Sequence, residues 1–184
     1  MKQTTRRQKF IKKNKIISTV EEIFRSSVFG YGISRYLAGR FFYKYLGESD
    51  FEFFGLVNKK KEHLFVDIGA NDGISALTFR LYNQDYKIIS FEPDTKHNKA
   101  LERVKKKIKN FEFNNIGLGN KNEKKTLYIP ECKNVYIGQL ASLIRDEAKN
   151  NVAKIISKKN ILDDVKIVEK EINISTLDEL NLIP

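Results

Sequence analysis

Residues 66–73, Val-Asp-Ile-Gly-Ala-Asn-Asp-Gly, restrict the fold of this chain more than any other stretch. Leu64, Phe65, Val66 and Ile68 form a short, nearly continuous apolar run, the pattern of a strand buried on both faces. Gly69 to Gly73 make a turn, after which Ile74, Leu77, Thr78 and Leu81 keep helical spacing, predicting a helix over about residues 72–82. Glycine has no Cβ and takes left-handed dihedrals without steric cost, so backbone at such a turn approaches a ligand closely. The unpaired N–H groups and positive dipole end at the helix start favour a carboxylate or a phosphate there.

The same alternation continues downstream. Residues 87–91 (KIISF) read as a second buried strand, and Pro93, Asp94 and Thr95 as a turn and helix cap. Ala100, Leu101, Val104 and Ile108 form the inner face of a second helix, with Lys105, Lys106, Lys107 and Lys109 largely outside. Residues 111–116 (FEFNNI) read as a third strand. Short β-α-β-α-β connections imply parallel strands and predict an α/β fold with helices on both faces of the sheet. After Gly119 the alternation weakens: a strand ending at Pro130, a loop over 131–146, a short helix around Ala148 to Ile156, an extended stretch over 165–175 and a helix or turn at 176–180.

The glycine spacing is G-x-x-x-G, which lacks the middle glycine that dinucleotide-binding turns need for the pyrophosphate. Glu92 ends the second strand 19 residues after Gly73, the place of the acid that grips ribose hydroxyls in folds of this kind. Its two oxygens match two vicinal hydroxyl donors. Asp72 reads as a helix N-cap or as a base. His63 and His97 read as structural or surface residues, so no catalytic residue is named. Two distant histidines and one cysteine give no metal-ligand spacing, and Ser142 has no visible base partner.

FVDIGANDG, SFEPD, NNIGLGNKNEKKTLYIP, ASL at 141–143 and STLDEL at 175–180 occur in an order that resembles the FkbM-type methyltransferase family, over about residues 63–181. That resemblance implies a Rossmann-like class I methyltransferase fold, three-layered with a mostly parallel sheet. It also implies S-adenosylmethionine (SAM) as cofactor, and transfer of its methyl group to a hydroxyl of a sugar or natural product. Asp67, Gly69, Ala70, Asn71, Gly73 and Glu92 would then line the cofactor site, with Asp67 accepting from the SAM ammonium directly or through water. Asn115, with Asn114, ends the third strand, where it would either pair with the adenine edge or simply terminate the strand. In such a family TLDEL is followed by a strand carrying a KIDVEG-like motif, whereas here the sequence stops at Pro184. The expectation is a first half of the domain, with strand 64–68 left as an exposed edge.

Residues 1–46 hold eleven basic side chains against Glu21 and Glu22, and so nine of the net charge of +11. Residues 1–60 therefore read as a basic, helical N-terminal extension, and 61–184 as the SAM-binding domain. Within the extension, Ile16, Val20, Ile23 and Phe24, then Ile33, Tyr36, Leu37 and Phe41, repeat at helical spacing. The basic surface suits solvent, anionic lipid, nucleic acid or an acidic partner. Peripheral membrane contact through 16–46 stays open, as does a nucleic-acid methyltransferase holding phosphates with this arm. A truncated module that binds SAM without turnover is the remaining alternative. A lone Cys132 allows no intrachain disulfide, and no apolar run of ~7–15 residues follows the basic start, so the expected location is cytoplasmic.

Overall fold

A computed structural model describes residues 63–156 and 161–180, the stretch Ser49–Leu56, and the single positions Phe29, Gly30, Ile33, Leu37 and Leu182. The N-terminal extension, expected to be helical, otherwise lies outside the described residues. Strand β1 (Leu64–Ile68) leads to helix α1 (Ile74–Tyr82), β2 (Lys87–Phe91), α2 (Asn98–Lys107) and β3 (Phe111–Asn114). The three strands form one parallel sheet in the order β1-β2-β3, with Val66 opposite Ile89 and Ile89 opposite Glu112. A mixed second sheet follows. It is built from β4 (Gly117–Leu118), β5 (Glu123–Cys132), β6 (Val135–Tyr136) and β7 (Val165–Ser175) in the order β4-β7-β5-β6, and α3 (Arg145–Ile155) packs on it. The chain is thus α/β, an arrangement compatible with a Rossmann-like fold.

Helices α1 and α2 do not divide between the faces of the first sheet, as the sequence reading expects. Two crossovers that step the same way across β1-β2-β3 return both helices to one face. Ala76, Leu77 and Phe79 of α1 and Leu101 and Val104 of α2 share a single core with Ile88, Phe111, Phe65 and Phe113. The opposite face is covered too, since Ile89 and Phe91 are buried. Phe54, before the expected boundary at residue 61, belongs to this core, edge-on to Phe65 at 5.3 Å and to Phe79 at 4.9 Å. Among the described residues β1 pairs only with β2, and Ile68 at its end is 64% exposed.

Residues 131–146, expected as a loop, carry β6 and a 3-10 turn at Gly138–Leu140. Lys133 and Asn134, both at positive φ, close a two-residue hairpin in which Cys132 faces Val135 and Glu131 faces Tyr136. On one face of β5 and β7, Leu127, Ile129, Ile172 and Ile174 pack together with Tyr136. On the other, Cys132, Val165 and Ile167 meet Val152 and Ile156 of the α3 segment.

Arg80 ties the parallel unit at its amino-terminal edge. Its guanidinium donates to the carbonyls of Asn83 (3.3 Å), Gln84, Tyr86 (2.7 Å) and Lys109 (2.8 Å), joining the end of α1 to both loops that enter β2 and β3. Burial pulls this guanidinium below its usual value, against the opposing pull of Asp85. Arg80→Lys removes the planar fork and strands several carbonyls, so urea unfolding is expected to show a loss of about 2–3 kcal/mol.

Candidate functional site

The carboxyl ends of β1 and β2 deliver the turn at 69–73 and the turn at 92–95 side by side. Gly69 and Gly73 stand at φ 72° and 74°, and Asn71 at 48°, so the turn uses the left-handed region three times. It is stitched to β2 by Phe91, whose carbonyl accepts from the amides of Gly69 (2.9 Å) and Ala70 (3.1 Å). Gly73 N closes the turn onto the Ala70 carbonyl at 2.7 Å. The first bond into α1 runs from Leu77 N to the Gly73 carbonyl, so the amides of Ile74, Ser75 and Ala76 precede the helical ladder.

Glu92 is 5% exposed and bridges the two turns. Oε2 accepts from Asn71 N at 2.8 Å and Oε1 from Asp94 N at 2.9 Å. Burial pushes its carboxyl up, and the two amides and His97 offset this only in part. One lone pair on each oxygen remains for a ligand donor. Asp67 is buried as well. Its carboxylate accepts from Ser75 Oγ at 2.7 Å and from Ser90 Oγ at 2.9 Å, and burial again raises it.

Ala70 is buried in the core, while Asn71 is half-buried and donates from Nδ2 to the Gly69 carbonyl at 2.9 Å. A Cβ added at Gly69 would meet nothing within 4 Å, so this face of the turn is open. Asn115 lies just past the end of β3. Its Nδ2 donates to the Glu92 carbonyl at 3.0 Å, and its amide exchanges bonds with that of Asn98 at 2.7 and 3.0 Å. Asn115 therefore fastens β3 to β2 and α2.

Asp72 is not the cap of α1; Gly73 holds that position without a side-chain bond. Instead Asp72 Oδ1 meets His97 Nδ1 at 2.8 Å, and Oδ2 accepts from Gln139 Nε2 at 2.9 Å. Asp94 accepts from the Tyr136 hydroxyl at 2.6 Å, from Lys170 Nζ at 3.0 Å and from Lys96 N at 3.1 Å. Burial pushes Asp94 up, but these three donors outweigh it and hold the carboxyl below its usual value. The Tyr136 hydroxyl is driven well above its usual range by burial and by Asp94.

Sequence reasoning brings together Asp67, Gly69, Ala70, Asn71, Gly73 and Glu92, and the structure places all six at the ends of β1 and β2. It misses Ser75 and Ser90, the partners that fix Asp67, and Tyr136, Gln139 and Lys170, which with His97, read only as structural or surface, fix Asp72 and Asp94. Ser75 was the most accessible of these, one turn into a helix whose preceding strand ends in a buried acid. Among the described residues no group of three or more His, Cys, Asp or Glu is placed to hold a metal ion, and no helix is long and apolar enough to cross a membrane. No family model, no curated protein and no solved structure matches this chain.

Proposed function

We propose that this chain carries the cofactor-binding part of a SAM-dependent methyltransferase of FkbM type, with a Rossmann-like class I fold and a sugar or natural-product hydroxyl as acceptor. The observation that carries this reading is the open glycine turn at the end of β1, held against Glu92 at the end of the adjacent parallel strand. In open α/β sheets ligands sit outside the carboxyl ends of the strands. SAM has a carboxylate and an ammonium but no pyrophosphate, which suits a G-x-x-x-G turn followed by a helix start. Gly69, Ala70, Asn71 and Gly73 would shape the methionine end of the site, and Glu92 would take the ribose hydroxyls on its remaining lone pairs. Asp67 would act through Ser75, which it holds at the start of α1.

Methyl transfer is an in-line displacement. Bound at the turn, SAM would supply the methyl group for such a transfer to the acceptor hydroxyl, whose proton would leave to a base. The contribution of the residues described is binding and orientation. Calorimetry with SAM and with S-adenosylhomocysteine tests the reading, with NAD as the control. One-to-one binding of the first two and no heat from NAD is the expected result. A folded chain that binds neither overturns it.

A further inference from the structure

His97 is buried between two acids on different turns. Nδ1 lies 2.8 Å from Asp72 Oδ1, and Nε2 lies 3.8 Å from Asp94 Oδ2 with no hydrogen-bond partner. A neutral imidazole has one N–H. With the proton on Nδ1 the Nε2 lone pair faces Asp94, and with the proton on Nε2 the Nδ1 lone pair faces Asp72. Only the imidazolium presents a donor to each. The surrounding charges point the same way. Asp72, Glu92 and Asp94 face the ring from the two turns, against the ammonium groups of Lys170 on β7 and of Lys96, which lies 3.6 Å over the Tyr136 ring. Three carboxylates thus face the ring, and of the two ammonium groups Lys170 is the one bonded to a carboxylate, that of Asp94, so a charged His97 adds a positive group among them.

The same ring seats the segment that follows β6. A Cβ added at Gly138 would lie 2.6 Å from His97 Nε2 and 3.1 Å from Asp94 Oδ2, so the Gly138 backbone rests directly on the imidazole. On either side, Tyr136 bonds Asp94 and Gln139 bonds Asp72. We infer that His97 is a positioning residue whose charged form ties the glycine turn to the 92–95 turn and seats residues 136–140 over both, so that the alignment of the site depends on one proton. Burial opposes the charge, but Asp72, Glu92 and Asp94 more than offset it and His97 titrates above its usual value. The consequence for cofactor affinity rests on the methyltransferase reading; the proton-dependent seat does not.

His63 is the only other histidine, so ring resonances are assigned readily by nitrogen-edited NMR. His97 is expected to titrate above 6.5, the ordinary value, and to move down in Asp72→Asn and in Asp94→Asn. The Gly138 and Gln139 amide resonances are expected to shift with the same midpoint in the unaltered chain. Titration at or below the ordinary value, or 136–140 resonances indifferent to it, overturns the inference. Affinity for S-adenosylhomocysteine should weaken as the pH rises through the His97 midpoint. It should be flat with pH over that window in His97→Asn, whose amide keeps a donor toward Asp72 but holds no charge. Equal pH profiles in the two proteins overturn the positioning role. Absence of binding at every pH, with the resonances still coupled, refutes the cofactor and leaves the seat intact.

Discussion

Glu92→Gln is expected to weaken S-adenosylhomocysteine binding by at least about tenfold while the chain stays folded, and Glu92→Ala to abolish binding. The two substitutions separate what the carboxylate does for the fold from what it does for a ligand. In the fold it accepts one amide on each oxygen, from Asn71 and Asp94. Alanine leaves both donors without a partner, at about 1–3 kcal/mol each, but also releases a buried carboxylate from its desolvation, so the net loss is about 2–3 kcal/mol. Glutamine keeps one acceptor and turns an NH2 toward the other amide, for about 1–2 kcal/mol. A ribose asks for two acceptors at once, which the amide side chain no longer offers. Calorimetry beside urea unfolding reads both quantities. Affinity untouched in Glu92→Gln would reduce Glu92 to a brace between turns.

The sign of the pH effect is fixed by the same burial. The folded Glu92 carboxyl titrates above 4.5, its ordinary value, so between the two values the folded state holds an extra proton. That contribution to stability is present in acid and is lost as the pH rises through the raised value. Glu92→Gln removes it, which flattens this part of the stability profile.

How much of this was legible in the sequence depended on how far each residue's partner lay along the chain. The strand–turn–helix at 64–82 was legible because its determinants are local: a buried apolar run, two glycines that must take positive φ, and a helical period that α1 follows within two residues of the predicted start. Strands β2 and β3 and helix α2 followed for the same reason. The N-cap reading of Asp72 fails because capping is a local rule, while the partners of its carboxylate include His97 and Gln139, 25 and 67 residues away. The bonds of Asn115 to Asn98 and to the Glu92 carbonyl are likewise set by residues 17 and 23 positions away, beyond any local rule.

The 131–146 segment failed differently. A two-residue strand has no period to detect, and Lys133-Asn134 carries only half of the usual hairpin signal, an asparagine without its glycine. Yet that hairpin orients Tyr136, and the face of β7 it shares carries Lys170, so both reach Asp94 from a sheet the sequence did not link to the site.

Gly73→Ala and Gly69→Ala should differ in kind, although both residues have nearly the same backbone conformation. A Cβ at Gly73 would lie 2.8 Å from Val104 Cγ2 and 3.2 Å from Leu101 Cδ2, both on buried side chains of α2. The left-handed residue costs about 1–2 kcal/mol and the overpacking about 1–3 kcal/mol more, so Gly73→Ala should lower stability by about 3–4 kcal/mol. Gly69 carries the conformational cost alone, since its Cβ would meet nothing within 4 Å, and about 1–2 kcal/mol is expected there. The open space beside Gly69 is where the proposed cofactor approaches the turn. Gly69→Ala should therefore bind S-adenosylhomocysteine at least about tenfold more weakly while losing in urea no more than that conformational cost. Gly73 is then the glycine that lets α2 lie against the turn, and Gly69 the one that keeps the turn's outer face bare. If Gly69→Ala binds without loss, the ligand does not approach there, and the open face must serve something other than a cofactor.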